Sequence, residues 1–583
     1  MIANDSAAAD LNQIARDEYQ ALKRATVLAL ALACAIPLSL NLVDPDLWGH
    51  VKYGQDWLEE GTLPRTASHT FTAVDYPWIN HENLAELAFA KGYQLLGARG
   101  LLMAKCAWGM AILLLMVWVA RRHQVHALAA WALMLLISAN LQAFFPLRPQ
   151  LLSFALCALT LALLDRAFAD WQESKQIRWQ MLWPLPLVFV VWVNAHGGFA
   201  LGLCVVGAYL AGRIVESLLH AGRAAWPQVS ALSLLGIVCV LATLANPYGW
   251  EMHRWLVMSL GQPRPEITEW APPKPADPIY WQWITLLIVI AICLGATRRR
   301  RDWVQIAILA LVAWQSSLHL RHIAFLALLS GFWLPVHLQS AMSRLRPTDS
   351  SKLPTMTLAP WLRRTAVAAL LLAIFAQSFV LRRQFSHFPV QRNFYPVDAL
   401  QFMADRGLNG KLVVSFNWAQ YAIAALSPDI EVAFDGRFRT CYPQEVVDMH
   451  FDFLLGQNGG RRSRSPNSGP IDGARVLNHS SPDLVLFDRR YEHSMWVMRE
   501  ECKRENPEWI WLYCDRIAEI WGRVDRYDEP THPDYIPPTA RVLDKRPRDG
   551  YLQWPALPIK GRPPRQLAEQ APEPQLEPLE ADL

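Results

Sequence analysis

The stretch Asp44-Pro45-Asp46-Leu47-Trp48-Gly49-His50 holds two carboxylates two residues apart, with an imidazole four residues beyond the second. In a helix starting near 47, His50 lies one turn from Asp46 and shares its face. About thirty residues further on, Trp78-Ile79-Asn80-His81-Glu82 adds a second imidazole and a third carboxylate. Asp46, His50, His81 and Glu82 offer enough oxygen and nitrogen donors for a divalent cation, or for a base beside a cation that neutralises developing phosphate charge. No closed ligand spacing such as Cys-x-x-Cys accompanies them. Asp44 and Asp46 also read as the cap of a helix 47–60, because Asp and Pro at a helix start favour the exposed N–H end of the dipole.

Four shorter groups carry related chemistry. Arg148 stands between Pro146 and Pro149, which hinder the common escape of an Arg to lipid headgroups. His196 precedes Gly197-Gly198, whose bare backbone permits close approach, so it reads as a phosphate or metal contact or as a hydrogen-bonded structural His. Asn246-Pro247-Tyr248-Gly249 reads first as a turn. Arg321-His322 offers a bidentate cation and an imidazole to phosphate, although a surface ion pair fits equally.

These residues need a scaffold, and the composition says which kind. Of 583 residues, 52% are hydrophobic and only 18% charged, and the apolar ones fall in long runs rather than alternating patterns. A net charge of +4 is too small for a nucleic-acid binder, and the apolar runs exclude a soluble cytosolic enzyme. A membrane-crossing helix needs roughly 20 apolar residues. Eleven segments qualify: 25–43, 101–120, 125–145, 150–164, 179–195, 198–219, 227–245, 280–296, 303–319, 323–339 and 365–381. The polar, partly acidic lead before the first run reads as part of a retained anchor rather than a signal peptide.

Lys and Arg fall in every second connection: Lys23-Arg24, Arg121-Arg122, Arg166 to Arg178, Arg223, Arg298 to Arg301, and Arg344 to Arg364. Positive loops resist translocation, which predicts a multi-pass plasma-membrane protein with a cytoplasmic N-terminus. Asp44, Asp46, His50, His81, Glu82, Arg148, His196, Arg321 and His322 then all lie in outer connections. Their gathering at one level suggests a shared site. The spans themselves look almost free of charge, and no internal repeat is visible, against what a transporter would need.

The predicted organisation is a cytoplasmic segment 1–24, a transmembrane domain 25–383 with outer loop 44–98, an extracytoplasmic α/β domain 390–527 and a Pro-rich tail 528–583. Within 390–527, helices are predicted at 396–406, 418–427, 443–456 and 490–504. Strands are predicted at 411–415, 431–434, 484–487, 509–514 and 516–523. Asp435-Gly436-Arg437 reads as a carbohydrate or phosphate contact or, more plainly, as a turn with an exposed ion pair. Cys441, Cys502 and Cys514 allow one disulfide and a spare thiol. The tail has too little apolar material for a core and is expected to be disordered.

The opening Asp44 to His50, Asn80-His81-Glu82, Asn194-Ala195-His196-Gly197-Gly198 and Asn246-Pro247-Tyr248-Gly249 resemble bacterial integral-membrane proteins of the GT-C glycosyltransferase superfamily. That group includes protein O-mannosyltransferases and aminoarabinose transferases. The resemblance covers residues 20–390 in layout and departs at Trp48-Gly49-His50, where relatives commonly carry Trp-Trp-His. It implies a membrane all-α fold of GT-C type, a sugar donor linked to polyprenyl phosphate and an extracytoplasmic glycan, lipid or protein acceptor. An acidic residue of the first outer loop, here Asp44 or Asp46, would be general base or metal ligand, and Glu82 a second acidic position. Arg148, His196, Arg321 and His322 are then candidates to receive phosphate charge. A non-catalytic scaffold or sensor of the same descent is the alternative reading, and a transporter the third.

Overall fold

The computed structural model describes residues 2–345, 360–457, 462–546 and 548–559. Two compact units divide the chain: one comprises Met1–Arg65, Ile79–Pro389 and Arg461–Ser463, the other Thr66–Trp78, Val390–Gly460 and Arg464–Leu583.

The first unit is a multi-pass membrane protein built of helices. Each of the eleven apolar segments is largely helical, but their lengths are unequal. Seven helices among the described residues are long and apolar enough to cross a membrane, or eight if the bent pair His322–Trp333 and Pro335–Arg344 is one span. The difference from eleven has local causes. Pro184 and Pro186 stand at the start of Leu185–Ala195, where a missing N–H costs least, leaving an 11-residue helix. Trp303–Leu318 is also short. Phe199–Ala242 forms one apolar stretch folded at a 3-10 turn, Gly222–Ala225. The last helix exposes Leu371, Leu372, Phe375 and Phe379, a surface that hydrocarbon would cover. Arg346 and Lys352 lie outside the described residues.

The helices are not free of charge. Lys105, inside Asn83–Arg122, is buried and donates to the Leu40 carbonyl. Arg213 is buried among Tyr209, Glu216 and Asp302, with Nη1 2.8 Å from Glu216 Oε2. Lys105 is met by a backbone carbonyl and Arg213 by two carboxylates, which is how a low-dielectric interior tolerates them.

The second unit contains a six-stranded sheet: β1 (Gly410–Val414), β2 (Ile430–Val432), β3 (Leu484–Asp488), β4 (Trp509–Cys514), β5 (Ala518–Arg523) and β6 (Val542–Leu543). Their order is β2-β1-β3-β5-β4-β6; β1 pairs parallel with β2 and β3, β5 antiparallel with β3 and β4, and β6 parallel with β4. Every residue of β3 is buried, as befits a central strand. Helices lie at Val397–Arg406, Ala419–Leu426, Gln444–Leu455 and Glu492–Cys502. The outer edge of β2 does not face water along its length. Thr66–Trp78, from the first long connection, lies there, with Val432 N–H donating to His69 O at 2.9 Å and Phe71 N–H to Val432 O at 3.3 Å.

Past residue 527 the chain differs from a coreless tail. Ile536 and Trp554 are buried, Val542 and Leu543 extend the sheet, and Ile559 N–H donates to Gln401 Oε1 at 3.0 Å. A few apolar anchors spaced by Pro suffice when a sheet edge is available, which an average over composition hides. The rest of the predicted tail, 560–583, lies outside the described residues. All nine cysteines are free thiols, so the Cys441, Cys502 and Cys514 trio forms no disulfide.

Candidate active site

Helix Leu47–Glu60 starts at Asp46, yet the Asp46 carboxylate makes no cap bond to its own backbone. Asp44 takes the local role, accepting the Asp46 N–H at 3.0 Å through Oδ1. Its other oxygen lies 2.7 Å from Arg148 Nε. The same guanidinium reaches Asp46 Oδ2 at 3.3 Å and Glu269 Oε1 at 2.7 Å. Arg148 therefore gathers three carboxylates from two connections, and Asp46 is freed from capping to face a cation.

Glycine sets the next approach. A side chain on Gly54 would sit 2.2 Å from the Glu86 carbonyl oxygen, so only glycine lets helix Leu47–Glu60 press onto the start of Asn83–Arg122. His50, one turn before Gly54, thereby meets Glu86, with Nδ1 3.4 Å from Oε1. Glu86 is buried, and its second oxygen accepts from Asn80 Nδ2 at 2.6 Å. Glu82 lies one helical turn earlier on the same face. Donor atoms of His50, Glu82 and Glu86 all lie within 4.8 Å of one another.

Two further imidazoles approach Glu82 Oε1: His81 Nε2 and His196 Nε2, each at 3.8 Å. His196 is held by its neighbours. Its Nδ1 is 2.8 Å from Ser153 Oγ and accepts the Gly198 N–H at 3.0 Å, while the Trp192 indole donates to Ser153 Oγ at 2.7 Å. These bonds assign the proton to Nε2, the nitrogen facing Glu82. The predicted use of Gly197-Gly198 is visible here: a side chain on Gly198 would collide with Ser153 Oγ at 2.5 Å.

Arg321 lies over the Trp270 ring, 4.7 Å from its centroid, and its backbone N–H donates to Glu269 O at 3.2 Å. It is half-buried, and no carboxylate of the described residues lies within 4.0 Å of it. His322 turns instead toward the Gln315 carbonyl, 3.3 Å away, and packs against His319. Its imidazole thus serves the local helix turn.

Burial and charge act unequally on these groups. Burial raises the Asp46 carboxyl and the negative Asp44 adds to it, against the pull of Arg148, to about 6. Burial alone would favour neutral His50, but the hydrogen bond to Glu86 and the charges of Glu82, Glu86 and Asp46 raise it to about 9. Burial also raises Glu82, yet His81, His50, His196 and Arg148 outweigh it and hold the carboxylate below its ordinary range. Burial takes His196 down to about 3, keeping it neutral. Arg321 is lowered, by burial first and by Arg148.

The donor set of one imidazole and two carboxylates suits a hard or borderline divalent cation. His81 Nδ1, buried with no hydrogen-bond partner among the described residues, leaves a further donor at its edge. Of the predicted ligands, His50 and Glu82 join this cluster, His81 borders it, and Asp46 stands apart on Arg148. Sequence reasoning missed Glu86 and Glu269. The i,i+4 spacing of Glu82 and Glu86 was a usable signal, whereas nothing local marks Glu269.

No family model matches the chain. A carbonic anhydrase from Synechocystis sp. is 26% identical over 147 residues, 23% of this chain and 52% of that protein, so the chain spans about half the length of this curated relative. Among solved structures, the apo oligosaccharyltransferase of Archaeoglobus fulgidus is similar with a TM-score of 0.48 and 11% identity, over 79% of this chain and 69% of that one.

Proposed function

We propose that the protein is a membrane glycosyltransferase that moves a sugar from a polyprenyl-phosphate donor to an extracytoplasmic acceptor by direct displacement. One observation carries this reading. Carboxylates, imidazoles and guanidinium groups from separate connections of a helical membrane unit converge around Arg148 and Glu82. The motif resemblance to the GT-C superfamily supports the same class, and the positive connectors favour an outer position for these residues.

Asp46 is the base. Its carboxylate accepts the proton of the acceptor hydroxyl, whose oxygen then bonds to the anomeric carbon. The bond from that carbon to the phosphate oxygen breaks, and its electron pair leaves with the polyprenyl phosphate. A single displacement inverts the sugar configuration. Arg321, unpaired with any carboxylate of the described residues and oriented by Trp270, receives the phosphate, and neutral His196 donates from Nε2. Arg148 orients Asp44 and Asp46. His50, Glu82 and Glu86 would hold a divalent cation, which when bound would neutralise phosphate charge.

The test is transfer of label from polyprenyl-phosphate hexose and pentose donors to envelope acceptors in membranes containing the protein or its Asp46→Asn variant. The variant should express normally and lose transfer. Undiminished transfer by Asp46→Asn would refute the assignment of the base, and absence of transfer by the unaltered protein would favour a non-catalytic scaffold or sensor.

A further inference from the structure

The second unit holds a cleft of about 780 Å³ that the transfer reaction does not use, within the roughly 300–1,000 Å³ usual for small-molecule sites. Its centre is an aromatic pair. His493 and Trp496, three residues apart on helix Glu492–Cys502, stack with ring centroids 5.4 Å apart and planes at 25°. The imidazole is seated on bare backbone: a side chain on Gly456 would meet its Cε1 at 2.5 Å, and one on Gly473 its Nε2 at 2.9 Å. The ring so wedged supports Trp496, which is nevertheless 57% exposed. An exposed indole at the wall of a cleft offers a flat apolar face that a ligand can cover.

The rim decides what. Asp472, Glu492, Glu500 and Glu501 line the cleft; Glu500 is paired with Lys503 at 2.9 Å and Glu501 with Arg504 at 2.7 Å, which leaves Asp472 and Glu492 without a cationic side chain within 4.0 Å among the described residues. The one arginine lining it among the described residues, Arg490, is occupied, with Nε 2.8 Å from Asp488 Oδ2 and its guanidinium over Phe394. A carboxylate-rich rim repels phosphates and uronic acids but accepts hydrogen bonds from hydroxyl or ammonium groups. A flat aromatic face beside such acceptors matches a pyranose, whose C–H face carries partial positive charge toward the ring and whose edge carries donors.

We propose that the cleft around Trp496 binds a neutral or amino-bearing oligosaccharide. This site shares no residue with the Asp46 centre and goes beyond the transfer reaction. The test is saturation-transfer difference NMR on the full-length protein in phospholipid nanodiscs, free of sugar-headed detergent. The probes are maltotetraose, cellotetraose, mannotetraose, chitotetraose and its deacetylated form, with tetragalacturonate as the anionic counterpart. At least one neutral or amino probe should bind in the millimolar range or tighter, and tetragalacturonate should not. Trp496→Ala should weaken that binding about tenfold, the scale of one lost aromatic contact, while Trp496→Phe retains most of it. Trp183→Ala, at another exposed indole, should leave it unchanged. Thermal melting of each variant separates lost binding from lost folding. Failure of every probe to bind, or binding indifferent to Trp496→Ala in a folded protein, would overturn the proposal. Binding is read without turnover, so a null result at Asp46 leaves it standing.

Discussion

Two arginine–aspartate constellations in this chain use the same groups to opposite ends. In the sheet unit, Asp435 is fully buried and accepts from the Arg437 N–H at 2.9 Å, Arg437 Nε at 3.0 Å, Arg437 Nη2 at 2.7 Å and Tyr442 Oη–H at 2.6 Å. Arg437 in turn donates to the Ser68 carbonyl at 2.5 Å and lies over Trp78. Every oxygen lone pair has a donor, so the pair is closed. Asp435-Gly436-Arg437 is thus neither an exposed ion pair nor an open ligand site. In the helical unit, Arg148 is shared among three carboxylates, and Asp44, Asp46 and Glu269 crowd one another for it. Burial raises Asp435 as it raises Asp46, but the Arg437 and Tyr442 contacts outweigh it and hold Asp435 below the ordinary carboxylate range. Asp46 ends above that range. A carboxylate saturated with donors is a structural anchor; one left short of them keeps a proton affinity that chemistry can use.

The contrast can be broken most directly at its closed end. Asp435→Ala leaves a buried guanidinium without its partner and should cost about 3–5 kcal/mol, seen as early melting and proteolysis of the sheet unit. The Asp46→Asn change should leave melting nearly unaltered but lower transfer about 10²–10⁴-fold, the range for losing a general base. If both variants melted alike, the two constellations would not differ in kind.

The acid responses sharpen the comparison further. Asp435 has a folded pKa below its unfolded value, so its stabilisation is complete above the unfolded range near ~3.9 and is lost as pH falls through the folded value. Sheet-unit melting should therefore become acid-sensitive there, and Asp435→Asn should remove that sensitivity. Asp46 titrates in the other direction, at about 6, so the ionised base and the transfer rate should fall below pH 6 and level off above it. A rate flat through this range would dissociate Asp46 from proton transfer. The smallest effect is expected for Glu86→Gln, which keeps the Asn80 contact in shape but removes one anionic donor. Stimulation of transfer by added divalent cation should weaken roughly 10-fold or more, checked by titrating manganese and magnesium.

Much of the helical framework was legible because apolar runs of membrane length and Pro positions are local properties. So were the sheet-unit elements, since period-2 and period-3.6 patterns report which face is buried. Asp44, Asp46, His50 and Glu82 stood out for their types and spacing. Their allegiances did not. Whether Asp46 caps a helix, binds a metal or faces Arg148 depends on where the Arg148 connection lies, and the His50–Glu86 pairing depends on the helix contact that Gly54 permits. Residues 66–78 sit within the first connection in sequence, yet in space they complete the edge of β2.

Residue type and local periodicity determined by themselves that this is a polytopic membrane chain with a mixed α/β unit and a concentration of ionisable groups between its helices. Only the tertiary structure decided which carboxylate is anchored and which is poised, because a proton's affinity is set by the donors and desolvation that distant segments bring to it.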